Sequence, residues 1–206
     1  MANGPAGSPP TERRPVKYCS ECGQPVRLKI PAGDNRPRHV CDACGTIHYQ
    51  NPKIVAGALP VWEDRVLLCR RAIEPRYGLW TLPAGFMENG ESMEEAALRE
   101  SGEEANARLE LQGLYTVISL PTINQVYVLY RARLQDTDFA PGEESLETAL
   151  FREAEIPWDR LAFRTIRYTL ERYFEDRRRG TFPLHEHVIT ANNRQPDHQP
   201  AKPPQM

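Results

Sequence analysis

The 206 residues and 23.5 kDa of this chain allow one ordinary domain with a small appendage and exclude a large multidomain machine. Hydrophobic residues at 40% and charged residues at 26% supply a sizeable core, which excludes a wholly disordered chain. With 26 Lys and Arg against 28 Asp and Glu, there is no excess of base to attract a polyanion, so nucleic acid is disfavoured as the main partner.

No run approaches the roughly 18 apolar residues that cross a bilayer, and the first ten residues carry no apolar signal segment, which makes the cytoplasm the expected location. Residues 1–17, rich in Pro, Gly, Ser and Arg, are expected to form a flexible leader. In residues 18–50, short strand-like pieces (Val26 to Ile30, Arg38 to Cys41, Thr46 to Tyr49) alternate with turns in a unit too small to own a core. Within it stand Cys19-Ser-Glu-Cys22 and Cys41-Asp-Ala-Cys44, two CxxC pairs 18 residues apart, the spacing of a zinc site. Four thiolates complete a tetrahedron, so Zn²⁺ on Cys19, Cys22, Cys41 and Cys44 is structural. His39 and His48 add nothing to a complete sulfur set, and Cys69, alone in an apolar run, reads as a small buried hydrophobe.

From Lys53 the pattern becomes that of a layered α/β domain, expected over residues 51–180. Ile54 to Trp62 and Val66 to Arg71 read as strands joined at Glu63-Asp64, followed by a loop. Ser92 with Glu95 three residues on is a capping box, starting a helix that runs to Ala105. Arg108 to Leu120, Gln125 to Leu134 and Thr148 to Arg152 read as strands, and Leu161 to Arg178 as an amphipathic helix packed on the sheet. From Thr181 to residue 206 no buried face is legible, and a flexible tail is expected. Arg177-Arg178-Arg179 ends a helix, where positive charge complements the dipole.

On the first helix Glu100, Glu103 and Glu104 fall within an arc of about 100°. Like charges so close destabilise a bare helix by a few tenths of a kcal/mol per pair. A hard divalent cation, Mg²⁺ or Mn²⁺, would offset that repulsion and bridge to substrate phosphates.

The stretch Gly85 to Glu104 reads G-x5-E-x7-R-E-x2-E-E and resembles the signature box of the Nudix hydrolases. The resemblance implies an α/β/α sandwich with a mixed sheet and divalent-metal cleavage of a nucleoside diphosphate linked to another group. It also implies metal ligation by Glu100, Glu103 and Glu104, with Glu91 and Arg99 organising the loop and helix. The chain departs from the pattern at Ser101, where an aliphatic residue is usual, and at Asn106, where glycine is usual. Gly102 adds a cost of about 1 kcal/mol in a helix interior.

The CxxC ribbon, Tyr49-Gln-Asn-Pro-Lys53, Gly78-Leu-Trp-Thr-Leu-Pro-Ala-Gly85, Glu155-Ile-Pro-Trp158 and Leu161-Ala-Phe163 are similar to a zinc-ribbon group that includes FAD and ADP-ribose pyrophosphatases. NADH pyrophosphatases share the ribbon but carry S-Q-P-W-P-F-P downstream, where Ser119-Leu-Pro121 stands instead. The expected activity is therefore hydrolysis of FAD, ADP-ribose or a related dinucleotide to AMP. The rivals are NADH pyrophosphatase or NAD-cap removal from RNA, and a non-catalytic ligand-sensing or nucleic-acid-binding module, against which the intact acidic trio argues. In Pro141-Gly-Glu143-Glu144-Ser-Leu-Glu147, the resemblance makes Glu144 and Glu147 candidates for a further base or ligand. Trp80, Phe86 and Tyr115 receive no role; Arg70 and Arg71, after a strand, offer charge either to a phosphate or to solvent, and surface charge is the preferred reading. A homodimer is compatible with the sequence but not written in it.

Overall fold

The computed structural model describes residues 16–190, so the leader as far as residue 15 and the tail from residue 191 lie outside the described residues. The chain forms two units, divided between Pro52 and Lys53.

In the first unit β1 (Val26–Lys29), β2 (Arg38–Cys41) and β3 (Ile47–His48) make a small antiparallel sheet. Most of its side chains are exposed, and Cys19, Val40 and Cys41 are its buried hydrophobic residues. So small a core cannot hold a fold, which puts the weight on the cysteines.

The second unit is an α/β/α sandwich. Its strands are β4 (Lys53–Trp62), β5 (Arg65–Arg71), β6 (Trp80–Thr81), β7 (Ala84–Phe86), β8 (Leu109–Leu120), β9 (Gln125–Leu134), β10 (Ser145–Phe151) and β11 (His185–Val188). They form one mixed sheet in the order β10-β5-β4-β9-β8-β11, with β4 parallel to β9 and β8 parallel to β11. The helices are α1 (Met93–Ala105) and α2 (Arg164–Arg179). Alternation along the strands sorts the core by face. Leu59 and Leu129 pack with Ile166, Leu170 and Phe174 of α2, whereas Val128 and Tyr130 pack with Ala97 of α1. Among the described residues no helix is long and apolar enough to cross a membrane.

Three departures from the sequence expectation have local causes. The loop expected after β5 contains β6 and β7. Strands β4 and β5 pair only beside their turn, at Val61 with Val66 and Trp62 with Arg65, and then diverge. The chain from Trp80 to Phe86 fills the wedge, pairing first with β5 and then with β4. Second, α2 starts at Arg164 rather than Leu161, because the Ala162 amide donates to the Trp80 carbonyl at 2.8 Å and keeps Leu161 to Phe163 extended.

Third, the expected tail from Thr181 carries an ordered strand. β11 pairs with Thr116 to Ser119 of β8, and Ile189 is buried with Val55, Ile118 and Tyr127. The strand escaped a hydrophobicity reading because its inward positions are histidines. His185 Nε2 lies 2.6 Å from Asp176 Oδ2, and His187 stacks on Tyr168 at 4.3 Å. Asp176 is 2% exposed and also accepts from the Tyr115 hydroxyl at 2.7 Å, so one buried carboxylate ties α2, β8 and β11 together.

Removing that carboxylate strands two buried polar partners, which costs about 1–3 kcal/mol. Asp176→Ala is therefore expected to lower the unfolding free energy by that amount and to speed amide exchange in β11 more than in α1. Unchanged exchange in β11 would remove Asp176 as its anchor.

Candidate active site

Helix α1 begins where its capping box places it. The Glu95 amide donates to Ser92 Oγ at 3.2 Å, and the Ser92 amide donates to Glu95 Oε2 at 2.7 Å. Both departures from the signature pattern are accommodated. Ser101 is fully buried, and its hydroxyl donates to the Ala97 carbonyl one turn back at 2.7 Å, which satisfies it without a partner from the sheet. Asn106 takes the left-handed cap conformation (φ 48°), and its side-chain amide reaches the Ala140 carbonyl at 3.1 Å, a bond glycine cannot make.

The last carbonyls of α1 are met by the segment before β10. The Ala140 amide donates to Ala105 O and the Gly142 amide to Glu104 O, each at 3.0 Å. A Cβ on residue 142 would fall 1.7 Å from the Glu103 carbonyl oxygen, so only glycine lets the backbone approach this closely. This contact carries Glu144 to the acidic face of α1, where its charge bears on both Glu100 and Glu104. Glu147 goes elsewhere: it is half-exposed and lies 3.5 Å from Arg70.

Arg99 organises the cluster. Its Nε and Nη2 grip the two oxygens of Glu91 at 3.0 and 2.8 Å, and Nη2 also donates to the Phe86 carbonyl at 3.2 Å. Its Nη1 donates to Glu100 Oε1 at 2.7 Å and Glu103 Oε2 at 3.0 Å. The Arg99 guanidinium, with the Glu88 amide, pulls Glu91 down to about 2. The sequence roles of Glu91 and Arg99 thus have a geometric counterpart: together they pin the loop to the helix.

Glu100 and Glu104 are 9% and 6% exposed, whereas the Glu103 side chain is 61% exposed. Gly85 lies flat against Glu100, since a Cβ there would sit 2.2 Å from the carboxylate. Glu104 Oε2 accepts from the Ala84 amide at 3.3 Å. Burial pushes Glu104 up to about 8, with the Glu100 charge adding to it, and burial also raises Glu100. Glu91, Glu100 and Glu103 therefore share one salt-bridging guanidinium, and Glu104 and Glu144 add their carboxylates beside them without a contact to it. Their oxygen-only donors and uncompensated charge suit Mg²⁺ or Mn²⁺. Their oxygens do not converge on one point here, because Arg99 holds Glu103 and the Ala84 amide holds Glu104.

The thiols behave differently. Cys19, Cys22, Cys41 and Cys44 have all four Sγ atoms within 4.8 Å of one another, the one such group of three or more potential ligands among the described residues. The separations of 3.6 Å (Cys19 to Cys44) and 3.4 Å (Cys22 to Cys41) are far too long for disulfides. They are close to the sulfur spacing of about 3.8 Å implied by tetrahedral Zn–S bonds near 2.3 Å. Hydrogen bonds from the Thr46 hydroxyl and amide lower Cys44 to about 6, towards the ligand form. Cys69 is buried, and burial raises its thiol, as befits a core residue.

Of the aromatics, Trp80 and Tyr115 belong to the core, and Phe86 is half-exposed beneath Lys53, 4.6 Å from its ring centre. Arg71 lies over the Phe163 ring at 5.1 Å, and its Nε donates to the Pro75 carbonyl at 3.0 Å in an exposed contact.

An acidic loop-helix at the rim of such a sandwich belongs with the metal-dependent hydrolases, and comparison with known proteins narrows the class. The NUDIX domain model matches residues 51–174, and the Nudix N-terminal zinc-ribbon model matches residues 17–50. The chain belongs to the Nudix hydrolase family. A Nudix hydrolase of Nitrosomonas europaea is 56% identical, with a TM-score of 0.83, over 85% of this chain and 99% of that one. Among curated relatives, the NAD-capped RNA hydrolase NudC of Chromobacterium violaceum is 28% identical over 65% of this chain and 48% of its own length. The ADP-ribose pyrophosphatase of Methanocaldococcus jannaschii is 27% identical over 56% of this chain and 69% of its own. The chain spans about half the length of the NudC relatives it matches.

The Glu104 environment makes stability depend on pH in a definite direction. In metal-free protein the folded state keeps a proton that the unfolded chain releases between about 4.5 and 8. Stability should therefore fall as pH rises across that window and level off above it. Glu104→Gln should flatten the slope, and added Mg²⁺ should restore wild-type stability most at the alkaline end. Denaturant midpoints across the window check this; identical slopes for wild type and variant would contradict it.

Proposed function

We propose that this chain hydrolyses the phosphoanhydride of a nucleoside diphosphate linked to a second group, with FAD or ADP-ribose as the first choice and AMP as one product. The observation that carries the reading is the cluster of Glu100, Glu103, Glu104 and Glu144, which holds more acidic charge than Arg99 balances. Glu100, Glu103 and Glu104 would hold Mg²⁺ or Mn²⁺. The metal supplies neutralisation of the diphosphate and acidification of a water.

The chain's own groups do the rest. Arg99 clamps Glu91 and the Phe86 carbonyl, which holds the loop against the helix, and it holds the Glu100 carboxylate beside Gly85. Glu103, exposed and bound to Arg99 by one oxygen, can turn to a ligand at little cost. Glu144, brought near the cluster by the Gly142 contact, would accept the proton of an attacking water. Zinc on the four ribbon cysteines has no part in the chemistry, and the free thiols suit the reducing cytoplasm.

A second reading, NADH pyrophosphatase or removal of NAD caps from RNA, is favoured by the NudC relatives and by the human NAD(P)H pyrophosphatase NUDT13, 36% identical over 46% of this chain and 25% of its own length. The absence of S-Q-P-W-P-F-P ranks it second.

Incubation of the zinc-loaded protein with FAD, ADP-ribose, NADH, NAD and NAD-capped RNA in Mg²⁺ or Mn²⁺, with products identified, separates the two. Release of AMP chiefly from FAD or ADP-ribose is expected; a preference for NADH or capped RNA would promote the second reading. Glu104→Gln should cut turnover by roughly 100-fold or more, with the fold retained. Glu144→Gln should cut it further than Glu147→Gln, and the reverse order would move the base to Glu147.

A further inference from the structure

We propose that Asn106 is a positioning residue for the reaction: its side-chain amide grips the strap that carries Glu144 and so sets where that carboxylate meets the attacking water. The inference rests on the role given to Glu144 above and adds the residue through which α1 controls it.

The strap is residues 135–144, the connection from β9 to β10, and it runs back along the end of α1. The Gln135 amide donates to the Arg108 carbonyl at 2.9 Å, and Arg108 Nε donates to Asp136 Oδ2 at 2.9 Å. Phe139 packs on a cluster that contains Ala105 and Ala107. The Ala140 amide then reaches the Ala105 carbonyl and the Gly142 amide the Glu104 carbonyl, each at 3.0 Å. As the strap advances from 135 to 142, its partners step back from 108 to 104. Asn106 adds a side-chain tie where the strap approaches the acidic cluster. Its Nδ2 donates to the Ala140 carbonyl at 3.1 Å and lies 3.5 Å from the Pro141 carbonyl.

Beyond Pro141 the chain enters a tight turn. The Ser145 amide donates to the Gly142 carbonyl at 3.0 Å, which makes Glu143 and Glu144 the central residues, and the Glu144 carbonyl accepts from the Ala72 amide at 2.8 Å. Glu144 is exposed, so packing does not fix its side chain, and its reach depends on where the turn stands. The turn stands on Gly142, pressed so closely to α1 that a Cβ there would lie 1.7 Å from the Glu103 carbonyl oxygen. A shift of the strap at Ala140 therefore passes along the chain to Glu144, whereas Glu100, Glu103 and Glu104 keep the backbone of their own helix.

The helix cap by itself does not call for asparagine. Residue 106 takes the left-handed conformation (φ 48°, ψ 29°), which glycine adopts at the least steric cost. Glycine would keep the amide bonds of residues 106 and 107 to the Gly102 and Ser101 carbonyls, and it would leave the Ala140 carbonyl without its side-chain donor. What the side chain adds over glycine is the grip on the strap, not the cap.

The substitution N106G separates the two, since it keeps the cap and removes the grip. In the full-length, zinc-loaded protein with Mg²⁺ and FAD or ADP-ribose, N106G should lower kcat by roughly 5- to 20-fold, the scale of one hydrogen bond acting on the placement of a reacting group. KM should stay within about two-fold of wild type, because substrate binding is not what the grip serves. The melting temperature should hold, and amide exchange should quicken at Ala140, Gly142 and Ser145 but not at Ala96 in the first turn of α1. In an E144Q background N106G should cost nothing further, because Asn106 acts through that carboxylate. Wild-type kcat in N106G would overturn the inference and mark a mere cap. An equal loss with and without E144Q would overturn it too, and would place the effect on the metal ligands instead. A wild-type protein that hydrolyses no dinucleotide, or an E144Q variant with undiminished turnover, would bring down the functional reading on which the inference rests.

Discussion

The candidate site depends on one guanidinium placed among more carboxylates than it can neutralise. Arg99 engages Glu91 with both of its oxygens and shares a third nitrogen between Glu100 and Glu103. The pairing with Glu91 is structural: it drives that carboxyl far into its ionised form and locks the loop to the helix. The contacts to Glu100 and Glu103 hold two of the proposed metal ligands. Buried Glu104 receives nothing from Arg99 and carries the cost of the arrangement in its raised affinity for a proton. Burial and the neighbouring Glu100 charge make Glu104 bind a proton more readily than usual, and a proton and a metal would compete for the same lone pairs.

The rest of the fold serves to bring that strained group together. Divergence of β4 and β5 opens the wedge in which β6 and β7 lie, and β7 presents Ala84 and Gly85 edge-on to Glu104 and Glu100. At the other end of α1, orphan carbonyls that every helix leaves are answered by the backbone of residues 140–142 rather than by water. Capping the helix and delivering Glu144 are thus one structural act. Both close approaches require glycine, at positions 85 and 142, for steric reasons rather than for turn geometry.

What could be read from sequence divides along the range of the interactions. The capping box, the arc of Glu100, Glu103 and Glu104, and the CxxC pairs are local, so spacing along one helix or one turn was enough to find them. The strands with apolar alternation were legible for the same reason. β11 was not, because its inward residues are polar and their partners, Asp176 and Tyr168, stand on another element. β6 and β7 were missed because two or three residues carry no period; they exist where neighbouring strands leave a gap. Glu144 and Glu147 looked alike in one acidic turn, and only the docking of Gly142 on α1 and the facing of Arg70 distinguish them.

The two candidate metal centres differ in a way that follows from ligand chemistry. Two glycine-terminated CxxC turns aim all four thiols at one point, a donor set that suits Zn²⁺. Carboxylates cannot do the same. Brought within reach of one another they repel, so each finds an interim partner: Arg99 for Glu100 and Glu103, and the Ala84 amide for Glu104. Zinc on thiols would put its binding energy into the stability of a unit with almost no core. A hard cation on carboxylates that repel one another would be held more weakly, which suits chemistry that must open again after each turnover. Zinc in the ribbon would accordingly be permanent, whereas magnesium or manganese on α1 would be held only as firmly as the phosphates it bridges.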